Sequence, residues 1–138
     1  MADAFFLRYN GKMCSVLIVN DVRILCAKLR HICEMEGLHV AAEAKNFNQA
    51  LEEFKKHKPD YVFLDLNLEG TDSIDCLRHL LTINNHSKII LVAPINRKPK
   101  IEQGFEQGAA AYLLKPFSRR KVQNAIDISN SGDPDRFF

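Results

Sequence analysis

The chain has 138 residues, 46% of them hydrophobic and 26% charged, with a formal net charge of +2. That is enough chain for one globular domain with a real core, and too little charge to point to nucleic acid by itself. No apolar run approaches the ~20 residues that span a bilayer, and Ala4 to Leu7 is too short for a secretory leader, so a cytoplasmic protein with no membrane partner is expected.

Short apolar runs alternate with segments of helical period. Ser15 to Val19 (SVLIV) has no polar alternation, as expected of a parallel strand buried on both faces. Val22 to Glu36 carries Leu25, Leu29 and Ile32 on one helical stripe, and Gly37 stands where such a helix stops. His39 to Ala44 reads as a second strand. Asn46 can cap a helix whose apolar stripe is Phe47, Ala50, Leu51 and Phe54, with Pro59 closing it.

Tyr61 to Leu64 gives a third strand ending at Asp65. Ile74, Leu77 and Leu81 mark a helix from about Asp72 to Ile83, and Lys88 to Val92 is a fourth strand. After a basic loop, Ile101 and Phe105 lie on a shorter helix that Gly108 ends. Ala111 to Leu114 is a fifth strand, and Ser118 can cap a last helix running to about Ser129, with Val122 and Ile126 inward. Residues 1–13 read as an N-terminal extension, 14–129 as the domain and 130–138 as a C-terminal tail.

Five strands alternating with five helices imply an α/β fold with a parallel sheet covered on both faces. In such sheets the ligand site lies beyond the carboxyl ends of the strands. The four cysteines form no CxxC pair, and Cys26 and Cys33, two helical turns apart, read as buried reduced thiols. The scattered histidines suggest no transition-metal site. Basic clusters at Lys55, Lys56 and Lys58, at Arg97, Lys98 and Lys100, and at Arg119, Arg120 and Lys121 read as solvated faces, with no RNA-binding or zinc-finger pattern beside them.

The strand ends carry the chemistry. Asn20 and Asp21 follow the first strand, Asp65 ends the third, Ala93 and Pro94 follow the fourth, and Lys115 and Pro116 follow the fifth. Two carboxylates with a nearby amide and backbone carbonyls suit a hard divalent cation such as Mg²⁺. A lysine beside them can neutralise an incoming phosphoryl oxygen.

On these residues the chain resembles a response-regulator receiver domain of the chemotaxis-regulator type. The markers are LIVND at 17–21, FLDLNLEG at 63–70 and GAAAYLLKPF at 108–117. The resemblance implies a flavodoxin-like sheet of strand order 2-1-3-4-5, the topology for which such a receiver is itself a standard example. It implies that Asp65 accepts a phosphoryl group in a Mg²⁺-dependent reaction. Asp21, Asp65 and the Asn67 backbone carbonyl would hold the metal, with Asn20 contributing weakly through water. Lys115 would contact the phosphoryl group, the Lys115–Pro116 bond would be cis, and Ala93 and Tyr112 would occupy the switch positions. The donor would be a sensor histidine kinase or a histidine phosphotransfer protein. Output would pass to a downstream protein, or to a second copy, through helix four, strand five and helix five, where Lys100, Arg119, Arg120 and Lys121 would meet an acidic surface. Such a domain assists its own phosphorylation and is a signalling module rather than an enzyme.

The chain departs from the family pattern at four places. Asn20 replaces the first of two acids and adds no charge, so Mg²⁺ should bind more weakly. Ala93 stands where Thr or Ser supplies a hydroxyl to the phosphoryl group, and Pro94 has no backbone N–H to give it. Hydrogen bonds to charged groups are worth about 1.5–3 kcal/mol each, comparable with an allosteric bias of about 1–3 kcal/mol. The hydroxyl link to Tyr112 is also absent, and Glu69 occupies a position that is often proline. A pseudo-receiver that docks partners without phosphorylation is therefore the alternative. A flavodoxin-like cofactor enzyme would need a Gly-, Ser- or Thr-rich loop after the first strand, and Asn20-Asp21-Val22-Arg23 is not one.

Overall fold

The computed structural model describes residues 14–132; the N-terminal extension at 1–13 and positions 133–138 of the tail lie outside the described residues. Five strands, β1 (Ser15–Val19), β2 (His39–Ala44), β3 (Tyr61–Asp65), β4 (Lys88–Pro94) and β5 (Ala111–Lys115), form one sheet of order β2-β1-β3-β4-β5. Every neighbouring pair is parallel. Five α-helices cover it: α1 (Arg23–Met35), α2 (Phe47–His57), α3 (Ser73–Ile83), α4 (Lys98–Glu106) and α5 (Arg119–Ser131).

The unbroken apolar strands are explained by burial on both sides. Val16, Ile18, Phe63, Ile90 and Leu113 face one core with Leu29 and Ile32 of α1 and Val122 and Ile126 of α5. Leu17, Val19, Leu64, Leu91 and Ala93 face the other, with Ala50 and Phe54 of α2, Leu77 and Leu80 of α3, and Ile101 of α4. Each fully buried Leu, Ile or Phe contributes about 1.5–3 kcal/mol of transfer free energy. Cys14, Cys26, Cys33 and Cys76 are all buried, and none of them is in a disulfide.

Two helix starts follow the caps read from sequence, Asn46 and Ser118, and α3 adds a third at Asp72. The side chain of Asn46 accepts from the Gln49 N–H, that of Asp72 from the N–H groups of Ile74 and Asp75, and that of Ser118 from the Lys121 N–H. Three boundaries differ from expectation. Helix α2 ends at His57 with Lys58, not Pro59, as its cap, in the left-handed conformation at φ 47°; Pro59 only prevents continuation.

Strand β4 continues through Ala93 and Pro94, which pair with Leu114 and Lys115 of β5. Pro94, the last residue of the strand, brings no N–H to the ladder. The basic segment expected as a loop is instead a 3₁₀ turn (Ile95–Arg97) running into α4. Pro99 fits that first turn, where its missing N–H has no helical partner anyway.

Helix α5 is tied to α1 by a buried acid. Glu36, directly after α1, accepts from Arg119 Nε and, at 2.8 Å, from Gln123 Nε2. Arg119 is thereby turned toward α1. Arg120 and Lys121 remain exposed on the face expected to meet partners.

Candidate functional site

The carboxyl ends of β1, β3 and β5 bring three charged groups together. Asp65, at the end of the central strand β3, is only 2% exposed. Its buried carboxylate must be met by donors, because an unpaired charge in the interior is strongly disfavoured. Lys115 Nζ, from β5, lies 2.6 Å from Asp65 Oδ2. Asn20 Nδ2, from the end of β1, donates to the same oxygen at 2.8 Å. The Asn67 N–H donates to Oδ1 at 2.7 Å.

Asp21 is exposed, and its Oδ2 accepts from the Glu69 N–H at 3.1 Å. Asp21 and Asp65 thus each receive an N–H from one short loop after β3, and both carboxylates act electrostatically on Cys26. Proline at position 69 could not make this bond, so Glu69 is what ties Asp21 to the loop.

Two residues missed in the sequence hold the backbone of the site. Ser73 Oγ, buried at the start of α3, donates to the Asp65 carbonyl at 2.8 Å. The Cys26 thiol donates to the Asn20 carbonyl at 3.3 Å. Burial pushes this thiol up to about 11, aided by the nearby carboxylates of Glu43, Asp21 and Asp65. No sequence signal marks either contact, since Ser73 reads as an ordinary first-turn residue and Cys26 as core.

The switch positions are adjacent to this cluster. Ala93 is fully buried on the same face of the sheet as Tyr112. Tyr112 is half-buried, its ring edge-on to Phe105 of α4 at 6.1 Å between centroids, and burial raises its phenol above the ordinary value. The Lys115–Pro116 peptide bond is cis.

The family model described as the response regulator receiver domain matches residues 16–127. The chain belongs to this family. As a receiver domain it is 32% identical to Protein CcdB of Bacillus subtilis over 83% of this chain and 95% of that protein. It is 30% identical to Chemotaxis protein CheY of the same organism over 81% of this chain and 93% of that one.

Among solved receiver structures, it superimposes with a TM-score of 0.81 on a two-component response regulator of the LuxR family from Aurantimonas sp. SI85-9A1. That structure is 25% identical, and the match covers 89% of both chains. A CheX-CheY-BeF3-Mg complex from Borrelia burgdorferi gives 0.79 at 25% identity, covering 85% of this receiver and 89% of that chain. The flavodoxin-like order and the two-component signalling class read from the sequence are those of this family.

The receiver's oxygen donors match Mg²⁺, which keeps several waters and takes one or two carboxylates plus substrate phosphate rather than a closed protein cage. Among the described residues no group of three or more His, Cys, Asp or Glu could hold a metal. The carboxylates of Asp21 and Asp65, with the neighbouring backbone carbonyls, are the oxygen donors here that suit such an ion. No helix among the described residues is long and apolar enough to cross a membrane.

Proposed function

We propose that this receiver accepts a phosphoryl group on Asp65 from the phosphohistidine of a sensor kinase or phosphotransfer protein, with Mg²⁺ as cofactor. The observation that carries the reading is the buried Asp65 carboxylate with Lys115 Nζ at 2.6 Å. An Asp65 carboxylate oxygen attacks phosphorus in line as the P–N bond to the donor imidazole breaks, giving an acyl phosphate and free histidine. Mg²⁺, when bound, balances charge on the transferred oxygens. Asp21, Asp65 and the Asn67 carbonyl would hold it. Lys115 leaves the carboxylate to pair with the incoming phosphoryl oxygens, and the Asn67 N–H keeps the Asp65 side chain oriented. Positioning and charge balance supply the catalysis, because the transition state asks little covalent chemistry of the protein.

The test is incubation with acetyl phosphate and Mg²⁺ followed by intact-mass measurement. One phosphoryl mass is expected on the wild-type chain and none on Asp65→Asn. A wild-type chain that stays unmodified, even with its kinase, defeats the reading.

A second reading has its own support. Ala93 and Pro94 lie in β4, with neither a hydroxyl nor an N–H at the two places where receivers usually contact the phosphoryl group. A module that docks a kinase-pathway protein or an acidic output partner without a phosphorylation cycle would need neither. Output through Tyr112, Arg120 and Lys121, including pairing with a second copy, belongs to either reading.

A further inference from the structure

Asn20 is more than a missing acid. It is 4% exposed, and each of its polar groups has a fixed partner. Its backbone N–H donates to the Ala44 carbonyl at 2.9 Å, and its carbonyl accepts from the Cys26 thiol. Its side-chain Oδ1 accepts from the Val22 N–H at 2.8 Å, and its Nδ2 donates to Asp65 Oδ2 at 2.8 Å.

The chemistry of those partners dictates which way the amide points. Flipped, it would set oxygen against a carboxylate and an NH₂ against an N–H. The atom turned toward Asp65 is therefore a donor, and a donor cannot ligate a cation. The oxygen expected to hold a metal-bound water is turned to Val22 instead. On Asp65 Oδ2 the amide joins Lys115 Nζ, so two positive poles already sit where a cation would bring its charge.

We infer that Asn20 is a positioning residue whose amide takes the place of a divalent ion in tying the β1–α1 connection to Asp65, so that metal reaches Asp65 Oδ2, the oxygen shared with Lys115, only by breaking that bond. The inference rests on reading Asp65 as the metal-dependent phosphoacceptor. It goes further in making the resting site self-sufficient and the metal a competitor of the amide. A chain that merely lacked one acid would bind Mg²⁺ weakly for want of charge. In this chain a bond must also open before a metal can ligate Oδ2.

Asn20→Ser separates the two causes. A serine hydroxyl can still cap the Val22 N–H as a local turn acceptor, but it is too short to reach Asp65 and adds no charge. Titrated with MgCl₂ alone by calorimetry, Asn20→Ser is expected to bind about tenfold more tightly than wild type, the size of one charge-assisted hydrogen bond released. Asn20→Asp, with charge added as well, should bind more tightly still. Equal or weaker binding by Asn20→Ser overturns the inference, as does an absence of binding in all three chains.

Should Asn20→Ser fail to fold, the wild-type chain itself gives the answer by ¹⁵N NMR. The Asn20 side-chain NH₂ signals should shift in step with Mg²⁺ saturation, losing the signature of a bond to a carboxylate. Signals that stay fixed at saturation overturn it too. Neither measurement uses a phosphoryl donor, so failure here is distinct from failure of acetyl phosphate to modify Asp65.

Discussion

Pro94 and Lys115 are partners on the last rung of the β4–β5 ladder. The lysine that touches Asp65 thus stands beside a residue with no backbone N–H, and one position back lies the buried methyl of Ala93. On the proposed reading, the site has its lysine and its carboxylates but has no donor from β4 for a phosphoryl oxygen.

Restoring those donors should strengthen the grip. Ala93→Thr combined with Pro94→Ala supplies one hydroxyl and one N–H, each worth about 1.5–3 kcal/mol toward a charged acceptor. Beryllofluoride binding in the presence of Mg²⁺ should tighten by about tenfold or more. An affinity equal to wild type would show that these two positions are not where the phosphoryl contacts are lost.

The packing of α4 on β4 depends on a missing side chain. A Cβ on Gly104 would lie well inside van der Waals contact of Leu91 Cδ1, and Leu91 is fully buried in a close-packed interior. Overpacking costs about 1–3 kcal/mol against the ~1 kcal/mol that alanine gains in a helix, so Gly104→Ala should lower stability in urea unfolding by up to about 2 kcal/mol. Leu91→Val removes the atom in the way, so the double variant should be more stable than the sum of the two single losses predicts. Simple additivity would refute the contact.

Alkaline pH should weaken the fold. Burial pushes the thiols of Cys33 and Cys76 from 9.0 up to about 12, and the phenol of Tyr61 from 10.0 up to about 12. Cys26 rises less, to about 11. The folded chain therefore keeps protons that the unfolded chain releases from about pH 9 upward. Their contribution is intact below that pH and is lost progressively as pH climbs toward 11 and 12. The urea midpoint should be level from pH 7 to 8.5 and fall from pH 9.5 to 10.5, and less steeply in Cys33→Ala. A midpoint flat to pH 10.5 would contradict the buried, protonated state.

Much of this was legible because the sequence states it locally. The strands are unbroken apolar runs, and caps such as Asn46 and Ser118 announce themselves by residue type. The convergence of Asp21, Asp65 and Lys115 follows once the strands are parallel, because every strand then ends on the same side. Reading failed where tertiary contacts set the outcome. Whether Lys98-Pro99-Lys100 winds into a helix depends on Ile101 and Gly104 docking on β4. Whether Ala93 and Pro94 belong to the strand depends on β5 lying alongside. The roles of Ser73 and of the Asn20 amide are questions of direction, and a residue's identity does not carry its orientation.

The ladder between β1 and β3 has a consequence for the pocket's accuracy. Val19 lies opposite Leu64 in the middle of the sheet, which sets Asn20 level with Asp65. Sliding one strand by a single residue would exchange the side chains facing each helical layer along its whole length. Misaligning the amide and the carboxylate therefore means disrupting the driest part of the molecule. Their alignment is guarded by the close-packed side chains of both helical layers.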